Sequence, residues 1–274
     1  MISAGCDIGS LSAKAVILEN GEILSTAVIP AGTNPQESAR AVLNKASEAA
    51  RIAPERVQCV VATGYGKDLI SFARSTESEI VCHAKGAFQI NPKTRTIIDI
   101  GGQDSKVIRV DENGKVVRYF YNDKCASGTG RFLEVMAEAL EVGLEDMGVL
   151  SGRSTSELAI SNQCVIFAET EVVSLINEGK QVPDIISALH RAMAGRVASM
   201  AIGIGVEDGV VMTGGVAKNS GLFSALSRCL KRDLVPIDGI DPQIAGAFGA
   251  ALIAAETLGS GESMSGKNSL FGDP

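Results

Sequence analysis

Short apolar runs separated by polar turns fill the first third of the chain. The pair Asn20-Gly21 separates two runs that are rich in Val, Ile, Leu and Ala, which predicts a hairpin. A longer segment then follows Asn34 and stops before Pro54, as a helix with an Asn cap would. The pattern predicts strands at 2–8, 14–19, 23–29 and 57–62 and a helix at 35–53.

The same order returns after Asn91-Pro92. Three apolar runs around a second Asn-Gly pair come first, and longer segments with helical character follow. The residues after 258 are rich in Gly and Ser, so a disordered tail is expected at 259–274. We expect strands at 94–100, 106–110, 116–121 and 210–212, and helices at 128–140, 165–177, 183–206, 220–230 and 242–258.

A related eight-residue segment occurs twice, each time running from the end of one predicted strand to the start of the next. Asp7-Ile8-Gly9 and Asp99-Ile100-Gly101 begin the copies, which lie 92 residues apart (99 minus 7), and in each a Lys lies seven residues after the Asp. We interpret the pair as a duplicated strand, loop and strand, although one copy alone would fit a simple hairpin tip. Bare Gly amides at such a tip can approach phosphate oxygens while the Asp holds Mg²⁺ through water.

A third loop, Thr213-Gly214-Gly215, follows the strand predicted at 210–212 and precedes a helix. Two phosphate loops followed by a late Gly-Gly loop resemble the superfamily of actin, the sugar kinases and the 70-kilodalton heat-shock ATPases. The resemblance implies an α/β, actin-like ATPase fold with two duplicated lobes, each a mixed β-sheet with flanking helices. ATP or ADP would lie in the cleft between the lobes, which would be residues 1–92, completed by the helix at about 242–258, and residues 93–241.

The superfamily resemblance also implies roles for the loop residues. Asp7 and Asp99 would organise Mg²⁺ through water. Lys14 and Lys106 would pair with phosphate, although a lysine at the start of a strand is as often a solvated edge residue. Phosphate contacts would come from Gly9, Ser10, Leu11, Ser12, Gly101, Gly102 and Gln103, and the nucleoside would lie against Gly214, Gly215 and Val216.

Composition and charge narrow the class of protein. The 274 residues carry a formal net charge of −7, which argues against a nucleic-acid-binding face. Apolar runs such as 197–206 fall short of the roughly 18 residues that cross a bilayer, so no membrane association is expected. No basic and apolar leader is seen, and the six cysteines are therefore expected in a reducing cytoplasm as core thiols, reactive groups or metal ligands.

Two cysteines, Cys125 and Cys164, stand directly before predicted helices. A thiolate there gains from free N–H groups and from the positive end of the helix dipole, which also stabilises an anionic iron–sulfur cluster. The alternative is that both are small buried hydrophobic residues, as most free cysteines are. Cys6, Cys59 and Cys229 lie in apolar contexts and are expected in the core.

Four segments of the chain resemble one family within this superfamily; they are residues 99–104, 122–132, 164–171 and 212–217. They are similar to the 2-hydroxyacyl-CoA dehydratase activators, also called component A or archerases, and to the ATPase subunits of benzoyl-CoA reductase. The similarity extends from about residue 1 to 255. It implies a homodimer in which Cys125 and Cys164 of each subunit hold one shared [4Fe–4S] cluster, since such a cluster ordinarily takes four thiolates.

The family resemblance further implies an ATP-dependent electron-transfer activator. Its cluster would receive an electron from a ferredoxin or flavodoxin and pass it, with ATP hydrolysis, to a partner iron–sulfur dehydratase or reductase. Gln103 and Asp104 are the candidates for positioning the attacking water. Family members usually carry a hydroxyl residue in place of Leu11, which puts the contacts of the first loop in question. Cys82-His83 match another family segment and are expected to be structural.

Two other functions are compatible with the fold. A small-molecule kinase of the sugar type would use Asn122-Asp123 as a substrate-binding and catalytic-base pair, but it leaves Cys125 and Cys164 unexplained. A non-redox, actin-like scaffold or chaperone ATPase would bind no iron. ATP can drive electron transfer only if the nucleotide states differ in how the cysteine-bearing elements are arranged, because a ligand shifts a conformational equilibrium only through differential affinity.

Overall fold

The computed structural model describes residues 1–161 and 164–260, and the chain divides into two compact units. The first unit comprises Met1–Pro92 with the C-terminal segment from Gly239, and the second comprises Lys93–Asp238. The strands are β1 Ile2–Ile8, β2 Ser12–Glu19, β3 Glu22–Pro30, β4 Cys59–Thr63, β5 Ser75–Thr76, β6 Thr96–Ile100, β7 Ser105–Val110, β8 Val116–Asn122, β9 Val210–Thr213 and β10 Leu234–Val235. The helices are α1 Pro35–Ala50, α2 Glu79–Ile90, α3 Gly130–Ala139, α4 Met147–Ser151, α5 Val165–Asn177, α6 Val182–Ile204, α7 Ser220–Leu230 and α8 Ala245–Gly259.

Each unit contains one five-stranded mixed sheet, and the two sheets share one topology. The strand order is β3-β2-β1-β4-β5 in the first unit and β8-β7-β6-β9-β10 in the second. In each, the central strand pairs antiparallel with the next strand of the chain and parallel with a strand that follows a helix. The internal duplication expected from the repeated segment therefore extends to the whole sheet, and the expected α/β class is confirmed.

The central strands β1 and β6 are buried along their whole length, which explains their continuous apolar sequences. In the first unit, α1 packs on β2 and β3, and α8 packs on β1, β4 and α2. In the second unit, α6 lies against β7 and α7, and α3 lies against α5. Helices on the sheet faces bury both sides of the central strands and leave their ends to form loops.

Helix α8 approaches its neighbours backbone to backbone. A Cβ atom on Gly5 of β1 would lie 2.0 Å from Ala247 O, and one on Gly249 of α8 would lie 1.8 Å from Cys82 O of α2. Real Cβ atoms cannot come so close, so only glycine fits at either position. The same helix differs at Gly246, where a Cβ would meet a side chain, 2.8 Å from His83 Nε2.

The predicted helices at 165–177 and 220–230 match α5 and α7, whereas other boundaries differ. Helix α1 ends at Ala50 because Arg51 adopts a left-handed conformation with φ of 56° and donates its N–H to Glu48 O. The sequence pattern did not predict α2, whose N-cap is Ser78. The helix predicted at 242–258 begins as a 3₁₀ turn, Pro242–Ile244, and α8 continues to Gly259. The rest of the predicted tail, 261–274, lies outside the described residues.

Candidate functional site

The duplicated Asp and Lys lie opposite each other in both hairpins. Asp7 pairs in register with Lys14, and Asp99 with Lys106. Because the loops span four residues, a spacing of seven puts both side chains on one face at directly opposed positions. The distance from Lys Nζ to Asp Oδ2 is 3.1 Å in the first hairpin and 3.2 Å in the second. Both lysines bind carboxylates, so the alternative of solvated edge residues is wrong.

The hairpin tips, loop 1 (residues 9–12) and loop 2 (residues 101–104), close in the same way. The N–H of Gly9 donates to Ser12 O over 3.1 Å, and the N–H of Gly101 donates to Asp104 O over 3.0 Å. Within the described ranges, no acceptor is found for the amides at the next two positions of either tip, those of Ser10, Leu11, Gly102 and Gln103. Such amides are the groups that bind anion oxygens.

Helix α3 fixes the direction of two of these amides. Its first N–H groups donate to loop 2: Gly130 N to Gly101 O over 2.8 Å, and Arg131 N to Gly102 O over 2.7 Å. In a trans peptide the C=O and the following N–H point in opposite directions. The amides of Gly102 and Gln103 therefore point away from α3, and the helix satisfies its own N-terminal donors in the same contact.

A threonine and a glycine complete the second carboxylate site. Thr213 Oγ1 donates to Asp99 Oδ1 over 2.8 Å, while Lys106 Nζ binds the other oxygen. Gly214 has φ of +87°, and a Cβ there would lie 2.3 Å from Ile100 O. Since this space and this conformation admit only glycine, Gly214 lies directly against the start of loop 2.

The first unit carries the same Thr-Gly pair after β4. Thr63 pairs in register with Asp7, as Thr213 does with Asp99. Gly64 has φ of +90°, and a Cβ there would lie 2.5 Å from Asp7 Oδ1. This second repeat is missing from the sequence predictions, although a Thr-Gly pair after an apolar strand is visible in both places. The copies differ in one bond, because Thr63 Oγ1 donates to Glu77 O.

The third predicted loop continues into a 3₁₀ turn, Gly215–Lys218. Val216 is buried, and its Cγ2 lies 3.3 Å from the position of a Cβ on Gly130, so it packs against the start of α3. After the turn, Asn219 caps α7 by accepting from Leu222 N. The loop is thus held between α3 and α7.

A buried histidine supports this cap. His190 of α6 is 1% exposed, and its Nε2 lies 3.1 Å from Asn219 Nδ2. Burial lowers the pKa of His190 to about 4, so its ring is neutral near pH 7 and Nε2 accepts from the amide.

Lys106 lies between two carboxylates. Its Nζ binds Asp99 Oδ2 and Asp104 Oδ2, and the three side chains are at most 6% exposed. Asp104, expected with Gln103 to position water, is therefore committed to an ion pair, while Gln103 is exposed. At the equivalent positions of loop 1, Leu11 is exposed and Ser12 accepts from Gln243.

The six cysteines fall into three groups by their exposure. Cys125 and Cys164 are exposed, and Cys229 is partly buried against the core of the second unit. Cys6, Cys59 and Cys82 are buried, and burial raises the pKa of Cys6 and of Cys82 to about 12. The buried thiols stay protonated, which leaves the two exposed ones as the best candidate ligands.

Only one exposed cysteine stands where the pattern placed it. Cys164 is the N-cap of α5, as predicted. The prediction that Cys125 lies directly before a helix is wrong, because α3 begins at Gly130. Gly128 has φ of +88°, which a right-handed helix cannot contain. Since the dipole effect is confined to the first turn, it gives no support to a thiolate at Cys125.

Asn122 holds the peptide of Cys125 instead. Asn122 Nδ2 donates to Cys125 O over 2.9 Å, and Cys125 N donates to Asn122 Oδ1 over 3.3 Å. The next residue, Asp123, forms an ion pair with Lys124, and this hydrogen bond lowers the pKa of the carboxyl group. Asn122 is buried and turned inward, which argues against a kinase that would use it to bind a substrate.

Cys82 and His83 lie on α2, where both are buried against α8. Their expected structural role agrees with this packing. No group of three or more His, Cys, Asp or Glu in the described ranges could hold a metal ion. No helix in that part of the chain is long and apolar enough to span a membrane.

The sequence is similar to several dehydratase activators. The BadF/BadG/BcrA/BcrD ATPase family matches residues 4–254. The 2-hydroxyisocaproyl-CoA dehydratase activator of Clostridioides difficile is 46% identical over 255 residues, 93% of this chain and 95% of that protein. The activator of lactoyl-CoA dehydratase of Anaerotignum propionicum is 47% identical over 257 residues, 93% and 98% of the two chains. One of the subunits of benzoyl-CoA reductase from Thauera aromatica is 35% identical over 270 residues, 93% of each chain.

Solved structures agree with the sequence relatives. The activator of the 2-hydroxyisocaproyl-CoA dehydratase from Clostridium difficile, with bound ADPNP, aligns with a TM-score of 0.92 at 43% identity, covering 98% of this chain and 100% of that one. A ROK family glucokinase from Streptomyces griseus aligns with a TM-score of 0.60 at 16% identity, covering 93% and 100%, which shows the fold alone. The expected actin-like ATPase fold and the expected family are confirmed. The chain belongs to the BadF/BadG/BcrA/BcrD ATPase family.

Proposed function

We propose that this chain is an ATP-dependent electron-transfer activator that reduces a partner iron–sulfur dehydratase or reductase. The similarity to named dehydratase activators supports the class of reaction. The observation that carries the proposal is the placement of the two exposed cysteines. Both belong to the second unit, and Cys125 lies in a loop that β8 connects to hairpin β6–β7.

The nucleotide part of the proposal assigns roles to the two hairpins. Asp7 and Asp99 hold Mg²⁺ through water, and the outward amides of loops 1 and 2 bind phosphate oxygens. Lys14 and Lys106 bind these carboxylates and balance charge on the phosphates. In the third loop, Gly214, Gly215 and Val216 lie against the nucleoside. Gln103 is exposed beside the loop 2 amides and orients the attacking water, whereas Asp104 acts by holding Lys106.

The cysteine part of the proposal assigns one [4Fe–4S] cluster to a pair of chains. Cys125 and Cys164 are exposed thiols, and thiolates are the ligands such a cluster takes; two copies would supply four. In the first turn of α5, Ile166 and Phe167 are 70% and 62% exposed, and a second copy would cover this apolar surface. When bound, the cluster supplies a one-electron carrier. A ferredoxin or flavodoxin would be the donor.

Iron analysis of anaerobically purified protein tests the proposal. We expect about four iron atoms per dimer, and none in Cys125→Ser or Cys164→Ser, because each chain brings two ligands. Cys229→Ser is the matched control and should keep its iron. Iron-free wild-type protein that hydrolyses ATP would favour the scaffold ATPase, and phosphate transfer to a small molecule would favour the kinase.

A further inference from the structure

The two copies differ at the cross-strand pair that joins each hairpin to its third strand beside the loop. In the second copy Ser105 of β7 pairs with Asn122 of β8, and in the first copy Ala13 of β2 pairs with Ile29 of β3. Ser105 directly follows loop 2, as Ala13 directly follows loop 1. A polar pair therefore stands only in the copy whose third strand leads to Cys125.

The polar pair forms a continuous connection. Asn122 Nδ2 donates to Ser105 Oγ over 3.3 Å and to Cys125 O over 2.9 Å, and Asn122 Oδ1 accepts from Cys125 N. Asn122 is 7% exposed and Ser105 is fully buried, so these bonds are shielded from water. Buried hydrogen bonds are costly to break, because a partner is left unsatisfied. A shift of loop 2 would thus move the Asn122 amide, and with it both polar groups of the Cys125 peptide.

A second contact carries the same shift to the other end of the cysteine loop (residues 123–129). The carbonyls of Gly101 and Gly102 hold the first amides of α3, directly after Thr129. Loop 2 and Ser105, the residue directly after it, are therefore bonded to the chain on both sides of Cys125. Because both ends of the cysteine loop are tied to this hairpin, we expect a rearrangement of loop 2 to move Cys125.

We infer that Asn122, acting with Ser105, is a positioning residue that transmits the nucleotide state of loop 2 to Cys125. The inference rests on the proposed function. In chemical terms, Ser105 and Asn122 form a hydrogen-bonded link between loop 2 and Cys125 and touch neither the nucleotide nor the cluster. Removing Ser105 Oγ breaks the link to the hairpin and leaves the bonds between Asn122 and Cys125 intact.

The test compares Ser105→Ala, Asn122→Ala and the double variant with wild type, all as anaerobically purified full-length chains. Iron release to a chelator and amide hydrogen exchange of peptides covering residues 122–131 are measured with and without a non-hydrolysable ATP analogue and Mg²⁺. We expect the analogue to change both rates in wild type. In Ser105→Ala that change should shrink by about threefold to tenfold, the factor that one hydrogen bond represents. The double variant should respond no less than Asn122→Ala, because Ser105 acts through Asn122.

Thr129→Val is the matched control. It removes the bond from Thr129 Oγ1 to Ala126 O inside the same loop, but no bond to the hairpin, and should keep the wild-type response. An unchanged response in Ser105→Ala would overturn the inference, as would wild-type protein that binds the analogue without any change at Cys125. If Asn122→Ala does not fold, Ser105→Ala alone decides. Iron-free wild-type protein would refute the proposed function, whereas hydrogen exchange would still report on the link.

Discussion

Hairpins β1–β2 and β6–β7 place an Asp–Lys pair at the same register, yet their surroundings differ. In the first, Lys14 binds Asp7, and the neighbouring cross-strand pair is apolar. In the second, Lys106 binds two carboxylates, Thr213 donates to Asp99, and a polar pair follows. The shared part is the Asp–Lys pair, to which the proposed function assigns Mg²⁺ and phosphate. Among the added polar groups, Ser105 and Asn122 form the connection with Cys125, whereas Asp104 and Thr213 bind the Asp–Lys pair itself.

The largest expected difference concerns the buried lysine. Lys106→Met leaves Asp99 and Asp104 buried without their cation and should destabilise the second unit by about 3–5 kcal/mol. Lys14→Met leaves one carboxylate and should cost less. Urea unfolding followed by hydrogen exchange in each unit measures both. Equal losses would show that the additional carboxylate is of no energetic consequence.

The next prediction is that acid destabilises the second unit through His190. The folded pKa of His190, about 4, lies below its ordinary value of 6.5, so the unfolded chain takes up a proton first as the pH falls. The contribution of His190 to the stability of the second unit should be constant above about pH 6.5 and decline between pH 6.5 and 4 by about 3 kcal/mol. In His190→Asn this part of the decline should vanish. A pH profile that is the same in the variant and in wild type would contradict the assignment.

Both hairpins should be equally necessary for ATP hydrolysis. Asp7→Asn and Asp99→Asn should each lower the rate about a hundredfold or more, because charge at the phosphates is no longer balanced by a well-placed Mg²⁺. Iron content should stay unchanged. Asp68→Asn, on an exposed carboxylate, is the control for a lost surface charge. If only one variant loses activity, the hairpins are duplicated in structure but not in function.

The smallest expected effect separates the two Thr-Gly pairs. Thr213→Val and Thr63→Val each remove one buried hydroxyl hydrogen bond and should each cost about 1 kcal/mol of stability. Only Thr213→Val removes a hydrogen bond to an aspartate. It alone should therefore weaken Mg²⁺ binding, so that ATP hydrolysis requires a higher Mg²⁺ concentration. A magnesium titration of both variants measures this. Equal weakening in Thr63→Val would remove the distinction.

The sequence was sufficient where local signals determine the structure. The repeated Asp-Ile-Gly segment predicted two hairpins, and the caps at Cys164 and Asn219 agree with helices that start where their apolar pattern starts. The Asp–Lys contact also follows from the seven-residue spacing, because loop length determines the register of a hairpin.

The remaining features depend on conformations and partners that a local pattern does not encode. The positive φ of Gly128 moves the start of α3 to Gly130 and so separates Cys125 from the helix. The sequence does not show which sign of φ a glycine adopts. The kinase alternative would use Asn122 to bind a substrate, but its amide binds the Cys125 peptide, and the direction of a side-chain amide depends on tertiary contacts that the sequence does not show. Asp104 was expected to position water, but it binds Lys106, and this ion pair is likewise a tertiary contact that the sequence does not show.

The glycine contacts of α8 have a consequence for the order in which the protein is made. β1 is synthesised before the other described elements, but the helix that packs on Gly5 is the last of them. All residues of the second unit are synthesised before α8, so that unit can fold while the first still exposes one face of its central strand. One face of the N-terminal sheet thus remains uncovered until translation has passed Gly259, which leaves apolar surface of the nascent chain exposed to aggregation in the meantime.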